Sequence, residues 1–164
     1  SPLGNYIIPG LTSSLVGGNG HGTVRLFECS REHEESVVPH SHRFDFACLV
    51  IRGTVRNRLW GLTDVALDES RASTLTYAGA PGEYTVAHGE VGRWHAMETV
   101  YGVGSVYTMT AKEVHSIAFS RGALVLFFEG PQVTDESIVL EPFVDGEVVP
   151  TFRTEPWMFR QVRS

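Results

Sequence analysis

His40 and His42, one residue apart, are the part of this 164-residue chain whose types and spacing most directly offer chemistry. In a β-strand, residues two apart project to one face, so both imidazoles can aim at one point. Neutral imidazole is the commonest protein ligand for iron, zinc, copper and nickel, and the pair suits two neighbouring positions on a divalent ion. Pro39 fits the start of a strand. With seven histidines in the chain, one such pair can arise by chance, so the competing reading is two hydrogen-bonded histidines without a metal. Arg56, Arg58 and Trp60 also share one strand face. If that face points inward, a guanidinium can clamp a substrate carboxylate or phosphate; otherwise these are solvated arginines. Arg25, on an earlier strand, is a candidate of the same kind. Glu129 closes an apolar run before Gly130-Pro131, where a carboxylate can serve as general base or hold an amine, or simply lie exposed.

The elements that must position these groups are strands. Thr23–Cys29, Phe44–Ile51, Thr54–Trp60, Ser73–Tyr77, Glu83–Ala87, Gly104–Met109, Val114–Phe119 and Ala123–Phe128 each read as one. Phe44–Ile51 is apolar enough for burial on both faces. Gly53 turns the chain into the next strand, and Asp145-Gly146 is a hairpin signal. Helical content is confined to a turn or two at Arg31–Ser36 and Asp64–Arg71. Many short strands divided by 17 glycines and 8 prolines predict an all-β barrel or sandwich. Length and the absence of a linker or repeat predict one domain over residues 1–164. The net charge of −6 argues against nucleic acid or an anionic membrane as partner. Ala123–Phe128 is the longest apolar stretch, too short to span a bilayer. No leader pattern is present. Two cysteines, Cys29 and Cys48, form no disulfide framework. A cytoplasmic location is expected.

These residues resemble the cupin superfamily, whose first motif reads G-x5-H-x-H-x3,4-E-x6-G and whose second reads G-x5-P-x-G-x2-H-x3-N. The first aligns on His40, His42 and Gly53, and the second on Gly104 and His115. The resemblance implies a single jelly-roll (double-stranded β-helix) barrel with minor helical turns. Its metal-binding core would occupy about 37–131, flanked by N- and C-terminal strands. It also implies a metal held by His40, His42 and His115. The chain departs from the pattern in several places. Glu34 stands at the first glycine, Phe46 at the acidic ligand, and Thr110, Lys112 and Phe119 at the proline, glycine and asparagine of the second motif. Phe46 cannot ligate. Its neighbour Asp45 is a possible fourth ligand only if a bulge re-aims it.

Three neutral ligands leave the full charge of the ion in place, as in the thiol-dioxygenase-like branch that the layout resembles. The serine-histidine-tyrosine set of cysteine dioxygenases would fall on Phe128, Gly130 and Gln132, which argues against cysteine as substrate. The expected function is a mononuclear non-haem Fe(II) oxygenase acting on a small anionic metabolite, with O2 as second substrate. Zn(II), Ni(II) and Mn(II) are alternative ions. A metal-dependent isomerase, cyclase or lyase, and a non-catalytic binding cupin, are the rival functions. Tyr107 and Glu129 are the candidate catalytic side chains, and His95 joins Arg56, Arg58 and Trp60 as candidate substrate contacts. Cys48 reads as packing, and His21, His33 and His88 as surface residues. A homodimer is a possible assembly. No nucleophile elbow, P-loop or dinucleotide fingerprint is present.

Overall fold

Along Phe44–Arg52 burial alternates: Phe46, Cys48 and Val50 are buried, while Asp45 and Ile51 are exposed. This strand therefore has one inner face, not the two buried faces its composition suggests. The computed structural model describes residues 10–31, 38–65, 69–77, 83–142 and 152–154. Its strands are β1 (Leu11–Asn19), β2 (Gly22–Cys29), β3 (Phe44–Arg52), β4 (Val55–Leu62), β5 (Glu69–Tyr77), β6 (Glu83–Tyr101), β7 (Val106–Met109), β8 (Val114–Phe119), β9 (Leu124–Gln132), β10 (Glu136–Pro142) and β11 (Phe152–Thr154). There is no helix among the described residues, and hence none long and apolar enough to cross a membrane.

One sheet runs β1-β2-β9-β3-β7 and the other β10-β5-β6-β4-β8, with β11 paired to β6. Strands distant in sequence interleave, β9 between β2 and β3, and β4 between β6 and β8. That is jelly-roll topology. His40 forms isolated bridges to both His115 of β8 and Val139 of β10. It thereby links the two ends of the second sheet into a nearly closed ring, which leaves few unpaired edges.

The buried apolar residues form two clusters. Phe27, Phe46, Cys48, Val50, Val55, Tyr107, Met109, Phe119, Val125 and Phe127 belong to the first. Val38, Leu75, Tyr84, Val86 and Val139 form the second. Cys29 and Cys48 are buried and unpaired. Phe127 and Phe128 take opposite faces, the first buried and the second 41% exposed.

The β3–β4 turn requires glycine. Gly53 has φ +74°, and a Cβ there would lie 2.8 Å from the Ala123 Cα. Each strand read from the sequence is present, but boundaries move and strands are added. Glu69–Arg71 open β5 instead of forming a helical turn. β6 runs 19 residues, far past Ala87. β1 and β10 join the sheets although their sequences carry weaker alternation. The Arg31–Ser36 turn falls almost wholly on residues 32–37, which with Asp145-Gly146 and His33 lie outside the described residues.

Candidate metal centre

The segment carrying the histidine pair lies between β8 and β10. His40 and His115 exchange backbone bonds of 2.9 Å in both directions, Ser41 N–H donates to the Ile138 carbonyl at 2.8 Å, and Leu140 N–H donates to that of Pro39 at 2.9 Å. The Ser41 hydroxyl accepts from Ile138 N–H at 2.7 Å. With Ser41 committed to that bond, alternation sends both imidazoles to the inner face. Directly opposed residues of an antiparallel pair share a face, so His115 faces the same way as His40. The three ring centroids lie 4.8, 5.2 and 4.9 Å apart. One nitrogen from each ring lies within 4.8 Å of the others.

Two of the rings are fixed by their second nitrogen. His40 Nδ1 meets the Val38 carbonyl at 2.8 Å, and because a carbonyl only accepts, Nδ1 carries the proton. His115 Nδ1 meets the Asn57 Oδ1 at 2.7 Å. The amide orientation follows from its other end, since Asn57 Nδ2 donates to Met109 Sδ at 3.8 Å. His115 Nε2 is left as a lone pair, buried and without a hydrogen-bond partner among the described residues; His42 Nδ1 is likewise buried and unpartnered. Burial pushes all three imidazoles below their ordinary value. For His42 the two other histidines add to it, for His115 His40 adds to it, and for His40 the Val38 carbonyl opposes it. Neutral rings with unspent lone pairs are what a metal requires of its ligands. A buried orphan nitrogen otherwise costs free energy, so this donor set fits an ion.

Phe46, at the position of the motif's acidic ligand, packs on the site instead. Its ring lies 4.8 Å from that of His42, 5.5 Å from that of His115 and 4.9 Å from that of Phe127. Asp45 is corrected as a fourth ligand. It is exposed, and its Oδ1 accepts from Ala111 N–H at 2.7 Å. A bulge does lie opposite it, but the extra residue is on β9, where Gly130 and Pro131 face Asp45. β3 therefore keeps its alternation around Asp45, and its own extra residue, Ile51, lies near its other end.

Arg56, Arg58 and Trp60 are not brought to the histidines. Asn57 takes the inner face of β4, so these three take the other. Arg58 pairs with Glu98 at 2.8 Å, and Trp60 Nε1–H donates to the buried Ser116 hydroxyl at 2.8 Å. His95 is exposed on β6, opposite Gly61. Tyr107 stacks on Tyr101 at 4.3 Å, and its hydroxyl pairs with the Cys48 thiol. Burial pushes Tyr107 well above its usual value, with Cys48 and Tyr101 adding to it, and pushes Cys48 up to about 12. His21 is exposed, but His88 is half-buried with Nδ1 3.2 Å from the Ser73 hydroxyl.

Glu129 does turn inward. It stands directly opposite Phe46 on one side and Thr23 on the other. Burial raises its carboxyl, against the pull of Arg25, Thr23 and Arg43. Asn57 was not visible as a site residue in the sequence. A single asparagine in a strand has no spacing signal, and only the β4–β8 register places it beside His115.

The first histidine pair thus precedes β3, Gly53 joins β3 to β4, and the third histidine sits on β8, paired with β4 inside an interleaved barrel. The fold is a jelly-roll barrel of interleaved strands. No protein-family model and no curated protein matches the sequence. Among solved structures, KdgF from Halomonas sp. is 12% identical over 81% of this chain and 88% of its own, with TM-score 0.46. Hydroquinone 1,2-dioxygenase from a Sphingomonas species is 18% identical over 74% of this chain and 67% of its own, with TM-score 0.44. A cupin domain from Bordetella pertussis is 12% identical over 81% and 95%, with TM-score 0.36. The fold assignment rests on the strand order of the barrel itself.

Proposed function

We propose that His40, His42 and His115 hold one divalent metal ion and that the protein is a metal-dependent oxygenase of a small metabolite, with iron(II) as the working ion. The observation that carries this reading is the buried, unpartnered His115 Nε2 on a ring whose Nδ1 is pinned by Asn57. When bound, iron(II) supplies redox chemistry with O2 and a positive charge that no carboxylate ligand reduces. The chain supplies the rest. Val38 and Asn57 hold the protons of His40 and His115 on Nδ1. Phe46 and Phe127 present an apolar wall that keeps water from one side of the site. Glu129 is the inward carboxyl available to carry a proton, which also supports a second reading. There, Zn(II) or Ni(II) acts as Lewis acid and Glu129 moves the proton of an isomerase or lyase.

The test is metal analysis of protein purified without chelators. One equivalent of metal is expected, and His115→Ala should lose it while keeping the far-ultraviolet signature of a β-barrel. Stoichiometric metal in that variant sinks the assigned ligand set, and failure of the parent protein to bind any ion sinks both readings. With iron bound, oxygen consumption over a panel of organic acids, thiols and amino acids separates the oxygenase from the Lewis-acid enzyme.

A further inference from the structure

A second group of polar side chains lies on the inner face of the second sheet, beyond the three histidines. His40 bridges to Val139, Val139 opposes Ser73, and Ser73 opposes His88. Directly opposed residues share a face, so His88 projects into the same interior as His40. Three strand spacings separate the two, about 14 Å along the sheet and less across the space it curves around. The Ser73 hydroxyl donates to Glu141 Oε2 at 3.4 Å and meets His88 Nδ1 at 3.2 Å. A hydroxyl has one proton and a carboxylate only accepts, so Nδ1–H is the donor to Ser73. His88 Nε2 is then a bare lone pair, and it is buried with no hydrogen-bond partner among the described residues. The setting is apolar. Leu75 and Val86, two residues along each strand from Ser73 and His88, are buried with Val139 in the second cluster. An imidazole with an unmet lone pair costs more there than another aliphatic pair. Directly after His88 the β5–β6 register slips, and Gly89 lets the Ala72 carbonyl approach where a Cβ would collide with it. Such bulges re-aim a side chain and are frequent beside active sites.

We propose that His88 is a proton-accepting residue of the interior, and that its Nε2 receives the proton of a hydroxyl on a small molecule lying between His88 and the three histidines. This deepens the metal-enzyme reading and rests on it. A lone pair accepts and does not donate, so it selects a hydroxyl and disfavours a carboxylate. In the step the substrate O–H bond breaks, its electron pair stays on oxygen, and the proton forms an N–H bond at Nε2. The imidazolium so made keeps Nδ1–H on Ser73, and the Glu141 carboxylate at the end of the chain offsets its charge. A carboxylate that orients an imidazole and stabilises its protonated form does the same work in a hydrolytic triad; here a hydroxyl stands between the two. Nothing is oxidised or reduced. The oxyanion left behind is attracted to a divalent cation at the three histidines.

The test is spectrophotometric titration of para-nitrophenol, with para-nitroanisole as the analogue that lacks the O–H, into protein with and without bound Zn(II). The pH is set below the ionisation of para-nitrophenol in buffer, so that a phenolate band reports proton transfer on binding. Urea midpoint and chelator-competition zinc affinity are measured in parallel. The parent should bind para-nitrophenol with a phenolate band, and para-nitroanisole more weakly. His88→Asn keeps an N–H donor for Ser73 and removes Nε2. It should lose the band and bind para-nitrophenol about tenfold or more weakly, as expected for loss of a charge-assisted bond, while zinc affinity and urea midpoint hold. Ser73→Ala, which unhooks the ring, should lose part of the band. If His88 is only structural, His88→Asn changes stability and leaves band and affinity at the parent values, which overturns the proposal. So does a parent protein that binds neither probe, or both equally. Nitrogen NMR of the parent needs no variant. It should show His88 protonated on Nδ1 and bare on Nε2, with the Nε2 signal moving as para-nitrophenol saturates; a stationary signal overturns the proposal too. Failure of the metal reading shows separately, as absent zinc binding while para-nitrophenol still distinguishes His88→Asn from the parent.

Discussion

An imidazole that ligates spends one nitrogen's lone pair on the ion and keeps its proton on the other, so whatever accepts that proton decides how well the ring is aimed. For His115 the acceptor is Asn57 Oδ1, and the amide is itself buried. Asn57→Leu would leave a buried N–H without an acceptor and free the ring to turn. Metal affinity is expected to fall about 10–100-fold, the usual cost of losing such a partner. Asn57→Asp keeps an acceptor at the same position and should retain most of the affinity. Competition titration against a chelator measures both, and an unchanged affinity in Asn57→Leu would remove Asn57 from the site. The sequence exposed the histidine pair because both histidines sit in one short motif, and it exposed His115 through the second motif. It could not expose Asn57, whose role depends on β4 lying next to β8. Arg56, Arg58 and Trp60 show the converse. Their shared face was readable, but which face of β4 turns inward was not, since both carry residues able to be buried.

At the scale of elements, the β3–β4 hairpin holds the site together. β3 brings Phe46 to the histidines and β4 brings Asn57 to His115. The turn between them depends on Gly53, at φ +74° with the Ala123 backbone closing over it. Gly53→Ala adds a left-handed strain and forces a Cβ against backbone that cannot yield. The expected loss is about 1–3 kcal/mol, read as a lower urea midpoint at unchanged slope. A variant as stable as the parent would show that the turn can relax. This hairpin was legible because glycine lies between an apolar run and a second strand pattern. β6 was not, because beyond Ala87 its positions are half-buried or exposed and none is fully buried, so apolar residues do not mark one face. β1 ends in Val-Gly-Gly-Asn and β10 in proline, composition that reads as loop until neighbouring strands pair with it.

For the whole molecule, the interior of the barrel holds a carboxyl that the fold makes less acidic. Burial raises Glu129 above its value of 4.5 in the unfolded chain, although Arg25, Thr23 and Arg43 pull the other way. A carboxyl raised on folding is bound to its proton more tightly in the native state. Its ionised form therefore costs stability. That cost is fully present above the folded pKa and disappears as pH falls below the unfolded value. Glu129→Gln removes the ionisation while keeping shape and a hydrogen-bonding end. The variant should be more stable than the parent at pH 7.5, and the gap should close as pH falls towards 4.5. Urea unfolding at the two pH values measures it, with zinc absent so that ligand linkage does not enter. A variant less stable than the parent at pH 7.5 would mean that attraction to Arg25 and Arg43 outweighs burial. Glu129 would then be an internal counter-ion, not a carboxyl held at a cost beside the metal centre. Retention of such a cost in the fold agrees with a group kept for chemistry or binding, since a half-buried charge that destabilises the native state is readily replaced when it serves only packing.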